Sequence, residues 1–230
     1  MKVSAIILAR EGSKGVPGKN TINFCGKPLL AWTVKQCIDA QGVDDVWVSS
    51  DSKRILEIGR KYGARPILRP DHISGDQATS ESGWLHAVDE IEDKTSSVDF
   101  VVAPQVTSPV RESVDISSAL EDVKVRGLDS LLTVNEIEDF FIWMLNNKQN
   151  PQSVTYDYLN RKPRQLLEKR FLENGSFYIF SPRVLRKHQN RLGGKFGFKI
   201  MEKHKMIQID NPADLRLCEV IMRGYGLDKI

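Results

Sequence analysis

The chain has 230 residues, 40% of them apolar, which suffices for one well-buried α/β domain with an appendage and is too little for two full domains. Its 33 basic and 30 acidic residues leave a formal charge of only +3, too weak a field to argue for nucleic acid or a membrane surface as partner. No apolar run is long enough to cross a bilayer and Met1-Lys2 leads straight into an apolar strand, so neither a span nor a leader is expected and the setting is expected to be cytoplasmic.

Short β-rich runs alternate with helical stretches. The pattern predicts strand 3–9, a helix near 28–40, strand 45–50, helix 52–62, strand 64–68, helix 79–92, strand 99–103, helix 112–126 and strand 129–134. Runs such as Val98-Asp99-Phe100-Val101-Val102-Ala103 are apolar at successive positions, as in strands buried on both faces. The alternation predicts an α/β fold with a mainly parallel sheet and helices on both faces. Ligands in such sheets collect at the carboxyl ends of strands, which puts Arg10, Asp51, Arg69 and Gln105 around one crevice.

Regularity breaks between about 138 and 175. Asn146-Asn147-Lys148-Gln149-Asn150-Pro151 is a turn signal, and Arg161, Arg164 and Arg170 punctuate polar sequence. A long irregular stretch inside a compact domain points to a functional segment, and Phe140-Phe141-Ile142-Trp143 would leave an exposed apolar patch. That patch is either an interface or one side of a local hairpin buried on its own domain. Beyond it the pattern gives a strand at 176–180, a helix near 182–190, short strands near 197–201 and 206–209, and a last helix with Asn211 as cap and Pro212 in its first turn.

Cys25, Cys37 and Cys218 form no C-x-x-C pair, which fits reduced thiols, and Cys37 and Cys218 sit at apolar helical positions as core fillers. His72, His86, His188 and His204 include no pair at i, i+3 or i+4, so no zinc site is expected.

Residues 8–20, Leu-Ala-Arg-Glu-Gly-Ser-Lys-Gly-Val-Pro-Gly-Lys-Asn, follow the first strand directly. Gly12, Gly15 and Gly18 permit close backbone approach and Pro17 stiffens the turn, so backbone N–H groups, Arg10, Lys14 and Lys19 can converge on a triphosphate. The P-loop pattern is not met: Ser13 stands where its first Gly belongs and Asn20 where its hydroxyl belongs. The bland alternative is a solvated basic turn.

Ala9-Arg10-x-x-Ser13-Lys14-Gly15-x-Pro17-x-Lys19-Asn20 resembles the signature of the CMP-sialic acid synthetases, or acylneuraminate cytidylyltransferases. Further blocks follow in that family's order: Leu68-Arg69-Pro70, Ser74-Gly75-Asp76-Gln77-Ala78-Thr79-Ser80, Gln105-Val106-Thr107-Ser108-Pro109, Pro163-Arg164-Gln165, Glu173-Asn174-Gly175-Ser176-Phe177-Tyr178 and Ile209-Asp210. The resemblance spans nearly the whole chain. It implies a Rossmann-like nucleotidyltransferase fold in one domain, 1–230, with 138–175 as a dimerisation arm that reaches a second subunit's sugar site. It also implies transfer of CMP from CTP to the anomeric hydroxyl of a nonulosonic acid, with Mg²⁺ or another divalent ion such as Mn²⁺.

The resemblance assigns the residues as follows. Arg10 and Lys19 bind the phosphates and stabilise the transition state, with Ser13, Lys14 and Asn20 as supporting donors. Arg69 comes to the nucleotide, against a reading as a solvated loop residue; Ala78 and Ser80 meet cytosine, although this segment also reads as an ordinary helix entry. Gln105 contacts sugar and phosphate, Arg164 offers its planar fork to the acceptor carboxylate, and Asn174 and Tyr178 line the sugar pocket, with core filling as the rival for Tyr178. Where the family's metal site reads Asp-Ile-Asp, this chain has Gln208-Ile209-Asp210. Asp210 then binds the metal and Gln208, on the same face of an expected strand, holds a metal-bound water; Asp214 is the fallback, with a helix-dipole role as its alternative. The other readings are a cytidylyltransferase for an eight-carbon acid such as KDO, and an inactive nucleotide-binding homologue, which Gln208 permits.

Overall fold

The computed structural model describes the chain apart from residues 13, 14, 96, 139, 140 and 230 and the side chain of Arg164. In chain order the elements are β1 (Val3–Leu8), β2 (Asn23–Phe24), β3 (Lys27–Pro28), α1 (Leu29–Ile38), β4 (Asp45–Ser50), α2 (Lys53–Lys61), β5 (Arg65–Leu68), α3 (Ser80–Lys94) and β6 (Phe100–Pro104). Then come α4 (Ser113–Arg126), β7 (Ser130–Ile137), β8 (Trp143–Leu145), β9 (Pro151–Ser153), β10 (Arg170–Phe180), α5 (Pro182–His188), β11 (Phe196–Ile200) and α6 (Pro212–Gly224).

The main sheet, among the described residues, is ordered β11-β7-β10-β6-β1-β4-β5. Every pairing in it is parallel except those of β10, which runs antiparallel to both β6 and β7. The alternation along β1 shows why both faces need cover: Val3, Ala5 and Ile7 enter the core shared with Trp32, Val34 and Leu120, whereas Ile6 enters the core on the other face with Trp84, Val88 and Phe180. Burying each Val or Ile side chain of this kind contributes about 1.5–3 kcal/mol, so the layers are fixed by these strands rather than by helix propensity. Cys37 and Cys218 lie in the first core as free thiols, their pKa values pushed up to about 12 by burial. No helix among the described residues is long and apolar enough to cross a membrane.

Helix ends follow local chemistry. Thr79 Oγ1 accepts from Ser82 N–H at the start of α3; Glu112 and Asp115 form a capping box on α4; and Asn211 and Asp214 form another on α6.

Two expectations change. The strand expected at 206–209 does not form: the chain takes a 3₁₀ turn over Lys203–Met206 because the buried Lys205 ammonium reaches Glu112, Asp115 and Glu202, each 2.9–3.0 Å away. Gln208 and Asp210 therefore do not share a strand face. In the expected arm, β10 starts at Arg170 and extends the β7–β10 ribbon, with a register shift between Glu173 and Tyr178; the rest is a β8–β9 hairpin and two 3₁₀ turns.

Candidate active site

β1 delivers the chain at Leu8 to the carboxyl edge of the sheet, where Ala9 N–H donates to Ser49 O at 3.1 Å. The loop after it is tied down by its own polar groups. The Asn20 amide donates to Arg10 O (2.7 Å), Glu11 N–H donates to Asp51 Oδ1 (3.1 Å), and Gly18 adopts a left-handed φ of 63° that starts the turn Lys19–Thr21. At Gly15 a Cβ would lie 2.1 Å from Asp210 O, so the loop rests directly on the backbone of the 208–210 segment. Lys19 joins the same two pieces: its Nζ donates to Ile209 O at 2.5 Å and stands 3.7 Å from Asp210 Oδ1.

Two adjoining cavities open beside this loop and share Leu8, Arg10 and Ser80 as walls. The first, about 290 Å³, is bounded by Arg10, Arg69, Asp76, Ala78 and Ser80. The second, about 330 Å³, is bounded by Arg10, Lys19, Asn20, Trp84, Gln105 and Thr107. Ser80 opens the 15-residue helix α3, so the positive end of a helix dipole meets both cavities. A wider depression of about 870 Å³ lies at the opposite edge of the sheet, but its Arg183 and Arg186 are already paired, with Asp129 and with Asp89 and Glu92.

Cations on the cleft wall differ in how they are held. Arg10 pairs with Asp76 Oδ1 at 2.8 Å. Arg69 is buried, not a solvated loop residue; its Nε has no hydrogen-bond partner among the described residues. Burial lowers its pKa, with Asp51 pulling the other way and Arg10 reinforcing the shift. Gly83 makes room for it, since a Cβ there would come within 3.0 Å of its guanidinium. Such an under-partnered buried cation is costly unless an anion arrives. Ser13 and Lys14 lie outside the described residues, and of Arg164 only the backbone, in a 3₁₀ turn, is placed.

Gln105, Val106 and Thr107 form the facing wall of the second cavity, and the 173–178 segment is bonded to that turn. Gln105 N–H donates to Ser176 O (3.0 Å), which leaves the Gln105 side chain at the cavity, where Thr107 Oγ1 approaches its Oε1 at 3.4 Å. Asn174 is not an open wall residue: its Oδ1 accepts from Thr133 Oγ1 and Ser176 N–H, and its Nδ2 donates to Asn135 Oδ1. It shapes the β10 irregularity instead. Tyr178 sits in the core beside Trp84, its hydroxyl donating to Glu173 and its ring 4.6 Å from the Arg191 guanidinium; burial and Glu173 push its pKa up to about 12.

For a divalent ion the chain offers Asp210, whose carboxylate is 75% exposed at the cleft edge. The Gln208 amide nitrogen is spent on Asn174 O at 2.6 Å, so only its Oε1 can face a metal-bound water. Asp214 is consumed as a cap, accepting from Asp210 N–H and Asn211 N–H. Among the described residues no group of three acidic, His or Cys side chains is placed to hold a metal ion; a lone hard carboxylate at Asp210 fits an ion that completes its shell with phosphate and water oxygens.

Sequence reasoning left Asp76, Trp84 and Arg111 out of the site. Asp76 lies inside a quoted motif, but its ion pair spans 66 positions; Trp84 reads as plain core; and Arg111 reads as a loop cation, although it is fully buried.

The family profile described as Cytidylyltransferase matches residues 4–203. The chain is 32% identical to the N-acylneuraminate cytidylyltransferase of Oncorhynchus mykiss over 99% of its own length, and spans about half (52%) of that longer protein. It is 32% identical to a Legionella pneumophila CMP-N,N'-diacetyllegionaminic acid synthase, covering 96% of this chain and 97% of that one. It is 27% identical to a Campylobacter jejuni pseudaminic acid cytidylyltransferase, covering 97% of both. The fold is that of a solved CMP:2-keto-3-deoxy-manno-octonic acid synthetase complexed with CTP, with a TM-score of 0.72 at 17% identity over 98% of this chain and 100% of that one. The chain belongs to the cytidylyltransferase family, among relatives named for N-acylneuraminic, legionaminic and pseudaminic acids.

Proposed function

We propose that this chain transfers CMP from CTP to the anomeric hydroxyl of a nonulosonic acid of the N-acetylneuraminate, KDN or legionaminate type, with release of pyrophosphate. The observation that carries the reading is the pair of adjoining cavities, walled by Arg10, Lys19 and Arg69 and capped by the N-terminus of α3, at the carboxyl edge of the sheet. The acceptor oxygen bonds to the α-phosphorus, the bond from that phosphorus to the bridging oxygen breaks, and pyrophosphate leaves while the hydroxyl proton passes to solvent. CTP brings about four negative charges, so neutralisation and alignment dominate. Lys19 and Arg10 supply the neutralisation, Arg69 with the 78–80 backbone holds the nucleotide end, and Gln105 orients the acceptor. Arg164 is assigned to the acceptor carboxylate. Asp210, with Gln208 holding a bound water, would hold Mg²⁺ or Mn²⁺, which supplies charge neutralisation on the triphosphate.

The test is pyrophosphate release from CTP against a panel of nine-carbon keto acids and the eight-carbon acid KDO. Turnover with a nine-carbon acid supports the reading. Turnover with KDO alone would select the eight-carbon alternative, and none with any acid despite CTP binding would select the inactive homologue. The three free cysteines support a reducing, cytoplasmic setting.

A homodimer belongs to the same proposal. The hairpin leaves Trp143, Met144 and Leu145 44–58% exposed, and the edge strand β11 adds Phe196, Phe198 and Ile200, 40–61% exposed on one face, with the Phe198 ring against Phe171. Apolar surface of this extent is what subunit contacts bury. Sedimentation velocity should give a species of twice the 26.0 kDa chain mass, and Trp143→Glu should convert it to monomer. A wild-type protein that remains monomeric and active would defeat the dimer.

A further inference from the structure

Arg111 is the most fully buried guanidinium described in the fold, 1% exposed, and among the described residues no carboxylate lies within ion-pair distance of it. Its partners are neutral oxygens. NH1 donates to Ser176 O at 2.6 Å and to Gln105 O at 3.2 Å, NH2 donates to Thr33 Oγ1 at 2.9 Å, and Nε has no partner among the described residues. Burial pulls its pKa down to about 10, with Cys37 and Asp115 opposing that shift. An unpaired charge in a protein interior is among the costlier arrangements, so a charged group kept there solely to satisfy neutral oxygens calls for a reason beyond filling the corner.

Arg111 bonds to the backbone of Gln105, which lines the second cavity, and to that of Ser176, which supports Gln105 from the neighbouring strand. Gln105 ends the β6 side of the cleft, and Ser176 follows the β10 irregularity next to Gly175, where a Cβ would lie 3.4 Å from Gln105 Oε1 and 2.5 Å from the Gln208 amide. Ser176 O accepts from both Gln105 N–H and Arg111 NH1, so one guanidinium fixes both flanks of the Gln105 peptide unit. The third arm ties these two backbones to α1 through Thr33, and Gln36 on the same helix donates to Pro109 O and Arg111 O, at 2.9 and 2.8 Å. The turn 105–111 is thereby locked to the helix beneath it.

From this geometry we infer that Arg111 is a positioning residue for the transfer step: it holds the Gln105 peptide and the 174–176 backbone at a fixed separation, so that the Gln105 amide meets acceptor and phosphate together. The inference rests on the reading of the cleft above. Lysine at 111 would keep the charge but replace the fork by a single nitrogen, which cannot stand at the NH1 and NH2 positions together and so gives up either the two carbonyls or Thr33 Oγ1. Alignment errors on the order of 1 Å can cost about 10²-fold in rate, while the phosphate loop, held by separate contacts, still binds nucleotide.

Arg111→Lys is therefore expected to lower kcat at least about tenfold with CTP affinity within about threefold of wild type. Thr33→Val, which frees one arm of the fork, should lower kcat by a smaller factor. Leu120→Ala, a core variant of α4, serves as the destabilised control and should keep its kcat at temperatures well below its melting point. Hydrogen exchange read by mass spectrometry should show faster amide exchange in 104–110 and 174–177 in Arg111→Lys, with β1 unchanged. If Arg111→Lys fails to fold, Thr33→Val carries both readouts. Wild-type kcat in these variants, or a loss of CTP binding and turnover that tracks destabilisation as in Leu120→Ala, would overturn the inference. Should wild-type protein release no pyrophosphate at all, the assigned reaction is wrong, and exchange decides alone: unaltered protection of 104–110 in the variants refutes the positioning role.

Discussion

Lys19→Ala is expected to reduce kcat by about 10²–10³, the usual cost of removing one preorganised donor from developing charge. The ammonium has three donors; one goes to Ile209 O, another faces Asp210 at 3.7 Å, and the side chain lines the cavity where the triphosphate is assigned. The substitution leaves Ile209 O without its donor, so some stability is lost as well, on the order of 1 kcal/mol. A loss of that size does not unfold a typical domain at 25 °C, and a melting curve beside the steady-state assay separates the two effects. Lys19→Ala protein that melts cooperatively and retains more than about a tenth of wild-type kcat would remove the phosphate-loop assignment.

Asp210→Asn is expected to raise the Mg²⁺ concentration for half-maximal rate by about tenfold or more, because the carboxylate proposed to hold the ion becomes a neutral amide of the same size. The competing role for Asp210 is as a partner of Lys19, and the two roles predict different results. If the carboxylate only restrained Lys19, Asn would leave the metal requirement unchanged. Mn²⁺ binding in the presence of CTP, followed by electron paramagnetic resonance, reads the affinity without turnover. Gln208→Asp is no simple restoration of a second ligand. Its carboxylate would meet Asn174 O, which now accepts the Gln208 amide at 2.6 Å.

Features set by contiguous residues were legible in the sequence. β1 and its loop announce themselves by an apolar run ending in glycines and cations, and the caps at Thr79, Asn211 and Pro212 are written where they act. What the sequence hid depends on contacts across the chain. Lys205 bends 203–206 out of a strand only because Glu112 and Asp115, some 90 positions earlier, share its burial site. The first half of β10 is polar and reads as loop, yet β7 provides a ladder for it as far as Ile137. The resemblance sets Asn174 at the sugar pocket, and nothing in the neighbouring sequence tells that its oxygen already accepts from Thr133 and Ser176. Arg69 and Arg111 have the same side chain and similar neighbours in sequence, each just after an apolar residue and near a proline. One lines the cavity beside Arg10, while the other lies under the Gln105 turn.

The central claim is that a nonulosonic acid attacks the α-phosphorus of CTP in this cleft. Phosphorus NMR of a reaction with CTP, Mg²⁺ and the acid most active in the panel tests it directly. The expected spectrum shows CTP replaced by pyrophosphate and a single phosphodiester resonance in equal amounts, with no such conversion in Lys19→Ala over the same time. Release of inorganic phosphate with CDP, or consumption of another nucleoside triphosphate in preference to CTP, would contradict the account.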